Sequence, residues 1–592
     1  MDPRDSPLVS LPLRWRLLPF VAAAAAVITV YAGVLDAPFV FDDVKLVKEN
    51  QRLRSGLGDP GKILETFDVT SRRWDEEELR PNYRPVRFLS YLLDYEVSRW
   101  WFGDPPGSEP RVQVFHATSI LLHALNALLV VLVARSLAAA LLGGARDDAD
   151  PALSTFLGLC AGLLFALHPI ETEAVTYISG RRDVLSTAFF LGALALHLRV
   201  PPEKGPGPAA VILVPLFLVL GFYSKEMVVT LPAVLLLADL ARGARWKATR
   251  ILVHVLSWGA AAVMTLGTIS NETLIAAAPA ETGPGVALTA SRYVARYLGL
   301  VLLPLEQSVD YSFDAIPPSS GLLEPATTLP AVLLVLSILL AALWRLAVIV
   351  RSPPGLRPGG ALAIGGLWFL GTLVPVLQLV PIPERFAERF AYLPSIGVIL
   401  VVASLLARAR RVEKTFGWGL LLFLAVLSLA LSVRRNRDWE TPLRLWTSAV
   451  EAEPRAARAH LGRANALKEE GRHREAVEEY TTALEIFGEK PEVPLHHGSI
   501  LQALTLRGGL AALLAGEDPA LLDRAVEDYR RVLGETDTDG TVVASSPRHV
   551  GVRFDLAGFL RRQGKVAEAE REYRAVIALP GCPIALVGGS HY

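Results

Sequence analysis

The sequence predicts an all-α protein: a polytopic bundle of about eleven membrane helices followed by a stack of helical hairpins. Three observations carry that reading. Of 592 residues, 52% are hydrophobic and only 20% charged, and the mean hydropathy is +0.37, which sets the chain apart from ordinary soluble and disordered proteins. The apolar residues gather into runs that approach the roughly 17 to 25 residues needed to cross a bilayer. After residue 433 these runs stop, and small and aromatic residues recur at the spacing of packed helical hairpins. Lys and Arg, 59 in all, balance 59 Asp and Glu, which removes the basic excess expected for nucleic-acid binding. Cys160 and Cys582 are too few for a disulfide framework or a zinc site. With only 3 Met and abundant Ala, Arg, Leu and Gly, the composition points to a GC-rich bacterial genome.

The apolar runs lie at 17–35, 114–142, 153–167, 184–198, 209–223, 227–240, 251–269, 329–350, 362–380, 396–407 and 417–433. The first lacks a small-residue cleavage site and leads at once into the polar PFVFDD stretch, so it reads as a signal anchor. A long exterior loop, 36–112, separates it from the second. Orientation follows from the cations in short loops. With the N-terminus inside, Arg4, Arg14, Arg16, Arg146, Arg199, Lys204, Arg242, Arg245, Lys247 and Arg250 fall inside, against Arg181, Arg182 and Lys225 outside. The segment 286–303 is interrupted by Arg292 and Arg296 and reads as an exterior or re-entrant helix. Eleven crossings then put Arg345, Arg351, Arg357, Arg408, Arg410, Arg411 and Lys414 inside, against Arg385, Arg389, Arg434, Arg435 and Arg437 outside. The odd count places the C-terminal region on the exterior side. The domains expected are a membrane domain over 1–433, a junction over 434–455 and a repeat domain over 456–592.

The repeat domain shows itself in ARAHLGRANALKEEGRHREAVEEYTTALE. Counting from Ala457, the packing residues Ala464, Gly471, Ala476, Tyr480 and Ala483 fall at the positions of a 34-residue tetratricopeptide (TPR) hairpin. The Ala-x-x-x-Tyr pair returns as Ala525 with Tyr529 and as Ala569 with Tyr573, and Gly564 repeats the turn of Gly471. The alternative is three unrelated amphipathic hairpins. Arrays of this kind present a concave face to peptides or proteins and perform no chemistry of their own.

Polar residues at the ends of the apolar runs fall on one predicted face. They are Asp42 and Asp43; Arg84 and Arg87; His168, Glu171, Glu173, Arg181, Arg182 and Asp183; Lys225 and Glu226; Asp310 and Tyr311; and Glu384, Arg385, Glu388 and Arg389. Taken singly, each has a structural reading. An Asp pair caps a helix, a Lys-Glu dipeptide makes a turn, an Arg anchors at the interface, and a His before Pro ends a helix. Their convergence on one side favours function, because ionisable groups at membrane depth are expensive. An acidic pair beside several cations suits group transfer from a lipid-linked phosphate: a carboxylate accepts the proton of an attacking hydroxyl while Arg and Lys stabilise the departing phosphate. Such a donor requires a site at the membrane edge.

The stretches FVFDDVKLVKEN, NYRPVRFLSYLLDYEV, LLFALHPIETEAVTYISGRRDVLS, YSKEMVVTLPAVLLLADL, SVDYSF, ERFAYLPSIG and RNRDWETPLRLWTSAVEAEP run in that order from residue 39 to the first repeat. In them the chain resembles the transmembrane and TPR-containing O-mannosyltransferases and their bacterial relatives, of the GT-C glycosyltransferase class. The resemblance implies a GT-C-like membrane bundle, a polyprenyl- or dolichyl-phosphate sugar donor, a catalytic acid in the first exterior loop, an exterior TPR domain, and protein Ser or Thr as acceptor. It maps the acidic pair to Asp42 and Asp43, and His-Pro-x-x-Thr-Glu to His168, Pro169 and Glu173. Gly-Arg-x-Asp maps to Gly180, Arg181 and Asp183, Ser-Lys-Glu to Ser224, Lys225 and Glu226, and Glu-Arg-x-x-Tyr-Leu-Pro to Glu388, Arg389, Tyr392 and Pro394. The repeats here are fewer and less regular than in that family.

The expectation is therefore an integral membrane glycosyltransferase that moves a sugar, mannose by resemblance, from a polyprenyl phosphate to an exterior hydroxyl. Asp42 or Asp43 is the expected base, and Arg389, Lys225, Arg181 and His168 the expected phosphate ligands. Arg84, Arg87, Glu173, Asp183, Glu226, Glu388, Asp310 and Tyr311 are expected in support. Expected partners are the lipid-linked donor, membrane lipids and a protein acceptor on the TPR domain, with no nucleic acid. The expected location is a bacterial inner membrane with the repeats in the periplasm, or the endoplasmic reticulum membrane with the repeats in the lumen. The participation of a divalent metal stays open. Three rivals remain: a non-catalytic TPR scaffold for envelope assembly, a transferase acting on a glycan or lipid, and a transporter. The transporter would need polar residues at mid-membrane on broken helices. Asn271-Glu272-Thr273 is a glycosylation sequon in an expected exterior loop.

Overall fold

The computed structural model describes residues 12–56, 84–143, 150–269, 284–312, 315–353, 357–379, 382, 384–488, 496–516, 518, 520–534 and 550–578. Among these residues the regular elements are all helical, with one isolated bridge between Gly143 and Pro358. The sequon at 271–273, Cys582, Arg4, Arg146 and part of the 36–112 loop lie outside the described residues. The chain divides into two compact units. One is formed by Met1–Gln307 and Pro318–Thr441, the other by Ser308–Pro317 and Pro442–Tyr592.

In the first unit each of the eleven apolar runs is a helix. They are α1 (Leu13–Tyr31), α3 (Val112–Ser136), α4 (Pro151–Leu167), α5 (Arg181–Leu198), α6 (Pro208–Phe222), α7 (Leu231–Arg242), α8 (Ala248–Ile269), α10 (Thr328–Arg351), α11 (Ala361–Leu373), α12 (Tyr392–Val412) and α13 (Lys414–Asp438). Between them come α2 (Pro85–Phe102) in the first loop and α9 (Pro284–Leu302) over the weak segment. Among the described residues six helical stretches are long and apolar enough to cross a membrane, at Leu13–Val34, Val112–Ser136, Ala248–Thr268, Thr328–Arg351, Glu388–Val412 and Lys414–Asp438. A seventh is a pair, Pro151–Leu167 with Pro169–Thr176, bent by 51°. The expected eleven crossings exceed this set for physical reasons. The α7 helix has 12 residues and α11 has 13, about 18 to 20 Å of rise against a hydrocarbon core of about 30 Å. The α5 helix opens on Arg181, Arg182 and Asp183. α9 is absent from the six.

Packing explains where the polar turn goes. α4 is buried along most of its length and packs against α1, α3 and α12. α11 and α12 approach until a Cβ on Gly365 or Gly397 would collide with the other helix's backbone. α4 stops at His168 because Pro169 supplies no N–H, and the His168 ring accepts the Ile170 N–H at 3.1 Å instead. The chain then runs through short helical turns, Pro169–Glu171, Thr172–Thr176 and Ile178–Gly180, before α5 begins. These residues are buried throughout. The turn expected as an exterior connection is thus buried within the unit, and it carries His168, Glu171, Glu173, Tyr177 and Ser179.

The second unit opens with α14 (Pro442–Ala452) and continues as hairpins: α15 (Ala457–Glu469) with α16 (His473–Gly488), α17 (His496–Leu514) with α18 (Ala520–Gly534), and α19 (Val550–Arg562) with α20 (Val566–Ala578). Ala464, Ala476, Tyr480 and Ala483 are fully buried between the first pair. Tyr480 donates its hydroxyl to Asn465 Oδ1 at 2.6 Å. Gly471 and Gly564 both turn at φ 77, a left-handed conformation that glycine adopts without a Cβ penalty.

Candidate active site

Just beyond α1 the chain turns sharply, with Phe41 at φ 52 and the Asp43 N–H bonded back to the Val40 carbonyl at 3.0 Å. This turn sends the two acids in opposite directions. Asp42 is exposed, whereas Asp43 is 1% exposed. Asp43 Oδ1 accepts the Ser179 N–H at 2.7 Å and the Ser179 hydroxyl at 2.5 Å, and Oδ2 accepts the Val40 N–H at 3.4 Å. Burial pushes the Asp43 carboxyl up to about 7, against the pull of the Ser179 bonds. The Asp42 N–H donates to the Tyr177 hydroxyl at 3.3 Å. Tyr177 in turn lies stacked on Trp439 with ring centres 6.1 Å apart.

The cations come from three elements. Arg84 precedes α2 and Arg87 sits in its first turn, where Pro85 starts the helix with no N–H to satisfy. Arg84 Nη2 grips both oxygens of Glu226, at 2.9 and 3.1 Å. Burial draws Arg84 down to about 10, with Glu226 opposing and Arg182 and Arg87 reinforcing. Lys225 Nζ pairs with Asp183 and lies 4.3 Å from the centre of the Phe390 ring. Burial lowers its ammonium to about 8, with Asp183 opposing. For Glu226 burial works upward, but Arg84 and Lys225 outweigh it and hold the carboxyl near 2. Among the described residues Arg182 makes two loose ion pairs, 3.6 Å to Asp183 and 4.0 Å to Glu384. The Nε groups of both Arg87 and Arg182 are buried with no hydrogen-bond partner among the described residues. Arg87 and Arg182 both lie within the field of Asp42. An exposed carboxylate in electrostatic reach of two guanidiniums whose Nε groups make no hydrogen bond among the described residues is a fitting seat for a phosphate and a hydroxyl nucleophile.

Other expected site residues are committed elsewhere. Arg181 is fully buried and spends its donors on Asp94 at 2.5 Å, the Phe115 carbonyl at 2.6 Å and the Ser119 hydroxyl at 3.2 Å. The neighbouring Arg182, expected on the polar face without a role of its own, is the more loosely held of the two, with an Nε that makes no hydrogen bond among the described residues. His168 has both ring nitrogens engaged, Nδ1 with Ile170 and Nε2 with the Val301 carbonyl at 2.8 Å, so it serves the bend. Arg389 sits on Glu173 through both its backbone N–H and Nη1, and on Glu384 through Nη2. Glu388 accepts from Gln307 at 2.9 Å and lies 3.7 Å from Arg435. Asp310 and Tyr311 belong to the second unit, where Arg458 holds Asp310 at 2.7 and 3.1 Å. Tyr177, Ser179 and Trp439 were missed. Their one sequence signal is position: Tyr177 and Ser179 lie within YISGRRD, and Trp439 within RNRDWE.

Apart from this site, His197, Asp239 and His254 offer three metal-type ligand atoms within 4.8 Å of one another. The surroundings do not suit an ion. Both Nε2 groups point at Asp239 Oδ2, at 2.9 and 3.0 Å, while Arg250 Nη1 holds Oδ1 at 2.6 Å. Metal-bound Nε2 would leave Nδ1–H donors, and both Nδ1 atoms are buried without acceptors. Arg250 already balances the buried carboxylate, so the group acts as a latch tying α5, α7 and α8.

Comparison with known proteins agrees with the motifs. A tetratricopeptide repeat family model matches residues 427–491. Protein O-mannosyl-transferase TMTC3 of Mus musculus is 24% identical over 93% of this chain and 59% of its own length. Its Drosophila melanogaster counterpart, Tmtc3, is 24% identical over 95% and 64%. Protein O-mannosyl-transferase TMTC1 of Homo sapiens is 26% identical over 77% and 54%. The chain thus spans less than two thirds of the length of each of these relatives. Its apolar helices make it a multi-pass membrane protein, and over most of its length it is similar to the TMTC protein O-mannosyl-transferases.

Proposed function

We propose that this protein is a membrane glycosyltransferase that moves a sugar from a polyprenyl phosphate to a hydroxyl on an exterior acceptor. Mannose as the sugar and protein Ser or Thr as the acceptor follow the names of the relatives. The observation that carries the reading is an exposed Asp42 carboxylate, held at its backbone N–H by Tyr177, in electrostatic reach of Arg87 and Arg182, whose Nε groups make no hydrogen bond among the described residues. Asp42 takes the proton of the acceptor hydroxyl as its oxygen bonds to the anomeric carbon. The bond from that carbon to the phosphate oxygen breaks, and the polyprenyl phosphate leaves with the bonding pair. Arg87 and Arg182 receive the growing phosphate charge, with Arg84 and Lys225 behind them. Arg389 shapes this wall through Glu173 and Glu384 rather than binding phosphate directly. The TPR unit receives the acceptor, on the exterior side of a bacterial inner membrane.

The test is transfer of radiolabelled mannose from polyprenyl phosphate to peptide by the purified full chain. Asp42→Asn keeps size and loses basicity, so transfer falls by about two to four orders of magnitude. Undiminished transfer in a correctly inserted Asp42→Asn variant overturns the assignment. Absence of transfer by the parent from any of a panel of lipid-phosphate sugars moves the scaffold reading ahead.

A further inference from the structure

We infer that Ser179 is a positioning residue for this transfer, its backbone N–H and hydroxyl clamping Asp43 so that Asp42 is held at the phosphate-binding arginines. The inference rests on reading Asp42 as the base. One short turn, Tyr177 to Arg182, ties the acidic loop to α2 and leads into Arg182. The Tyr177 hydroxyl takes the Asp42 N–H, Ser179 grips Asp43, and the Ile178 carbonyl accepts the Tyr91 hydroxyl of α2 at 3.0 Å. Arg182 follows three residues after Ser179, and α2 also carries Arg87.

The turn is built to stay put. A Cβ on Gly180 would meet the backbone carbonyls of Ala174 and Glu173 at 2.8 and 2.9 Å, so the chain there is closed on itself. Ser179 is fully buried, and its two bonds are the shortest that Asp43 makes, across 136 residues of sequence. Without the hydroxyl, the buried carboxylate keeps one strong donor, and the left-handed turn at Phe41 loses its main restraint. Asp42 is then free to drift from Arg87 and Arg182, and a displacement of about 1 Å is enough to cost on the order of 100-fold in rate.

The experiment uses the full chain in detergent with Ser179→Ala and Ser179→Thr. Ser179→Ala should lower the turnover of sugar transfer by about 10- to 100-fold while the KM for polyprenyl phosphate mannose stays within about twofold. Ser179→Thr, which keeps the hydroxyl, should recover most of the loss. Hydrogen exchange over 39–48 should quicken in Ser179→Ala, with exchange over 457–488 unchanged as a control for folding. Adding Ser179→Ala to Asp42→Asn should bring no further loss, since both act at one step. Transfer by Ser179→Ala within about twofold of the parent, or a loss confined to donor KM, overturns the inference. Failure of the Asp42 assignment is read separately, from Asp42→Asn alone; in that case unchanged exchange over 39–48 overturns the clamp, and quickened exchange upholds it.

Discussion

Titration of Asp43 gives a sharp test of the acidic loop. Its carboxyl is buried at 1% exposure and pushed up to about 7, chiefly by burial and against the bonds from Ser179. In the unfolded chain the same group titrates near about 4. Between those values the fold holds a proton that the unfolded chain has released, so stability is fullest below about 4 and is lost as pH rises through about 7. An interval of about three pH units, at about 1.4 kcal/mol each, comes to about 4 kcal/mol. Asp43→Asn abolishes this titration and keeps a carbonyl acceptor for Ser179. The assay is thermal unfolding of parent and variant in detergent, followed by tryptophan fluorescence from pH 4.5 to 8. The melting temperature of the parent relative to Asp43→Asn should fall by a few degrees across that range and flatten toward pH 8. A difference that is flat with pH would refute the buried, Ser179-gripped carboxyl. A relative gain by the parent on raising pH would mean that a cation pairs with Asp43.

The adjacent arginines should behave oppositely. Arg181→Ala strands the buried Asp94, at a cost of about 3 to 5 kcal/mol, whereas Arg182→Ala should leave the melting temperature nearly unchanged and raise the donor KM by about tenfold or more; equal losses of stability would refute the division of roles. Asp239→Asn leaves Arg250 facing a neutral group in the interior, so the melting temperature should drop by several degrees. A chelator should leave the parent's melting temperature unchanged, and a chelator-dependent drop would show that His197, Asp239 and His254 do hold a metal. In the repeat unit, a Cβ at Gly462 would enter the Trp446 indole, so Gly462→Val should destabilise that unit by about 1 to 3 kcal/mol. Unfolding of the full chain monitored by limited proteolysis between 442 and 488 would detect it.

Much of the architecture was legible because it depends on local pattern. All eleven apolar runs are helices, and the Ala-x-x-x-Tyr pairs mark the second helix of each hairpin, with Ala525 and Tyr529 buried as the spacing requires. Apolarity alone does not measure span length, however: α7 and α11 are largely apolar but have only 12 and 13 residues. The site was legible as a set of motifs and illegible as a division of labour. Asp42 and Asp43 are alike in sequence, and one left-handed residue, Phe41, decides which is exposed. Arg181 and Arg182 are equally alike, and the helix start at Arg181 turns one toward Asp94 and leaves the other loosely paired. Such choices are set by partners more than sixty residues away, such as Ser119 for Arg181, and no local period reports them.

The charge arithmetic of the resting site explains why a proton and a phosphate would move together. Arg84, Arg87, Arg182, Lys225 and Arg389 are matched by Asp42, Glu173, Asp183, Glu226 and Glu384. Four of these carboxylates are held by direct ion pairs, while Asp42 touches Arg87 and Arg182 only through its field. In the proposed reaction a sugar phosphodiester with one negative charge becomes a monoester with two. Asp42 meanwhile takes the acceptor proton and becomes neutral. The total charge of the site is therefore unchanged, but the field on Arg87 and Arg182 passes from the carboxylate to the departing phosphate. Both carry a buried Nε that makes no hydrogen bond among the described residues, as does Arg389, and Arg182 Nε lies 3.6 Å from Asp183. The same guanidiniums thus interact more strongly with the phosphate in the transition state than with the bound donor, which is the condition for binding energy to raise turnover rather than affinity. On the proposed reading, Arg84 and Lys225, paired with Glu226 and Asp183, add a positive background behind them.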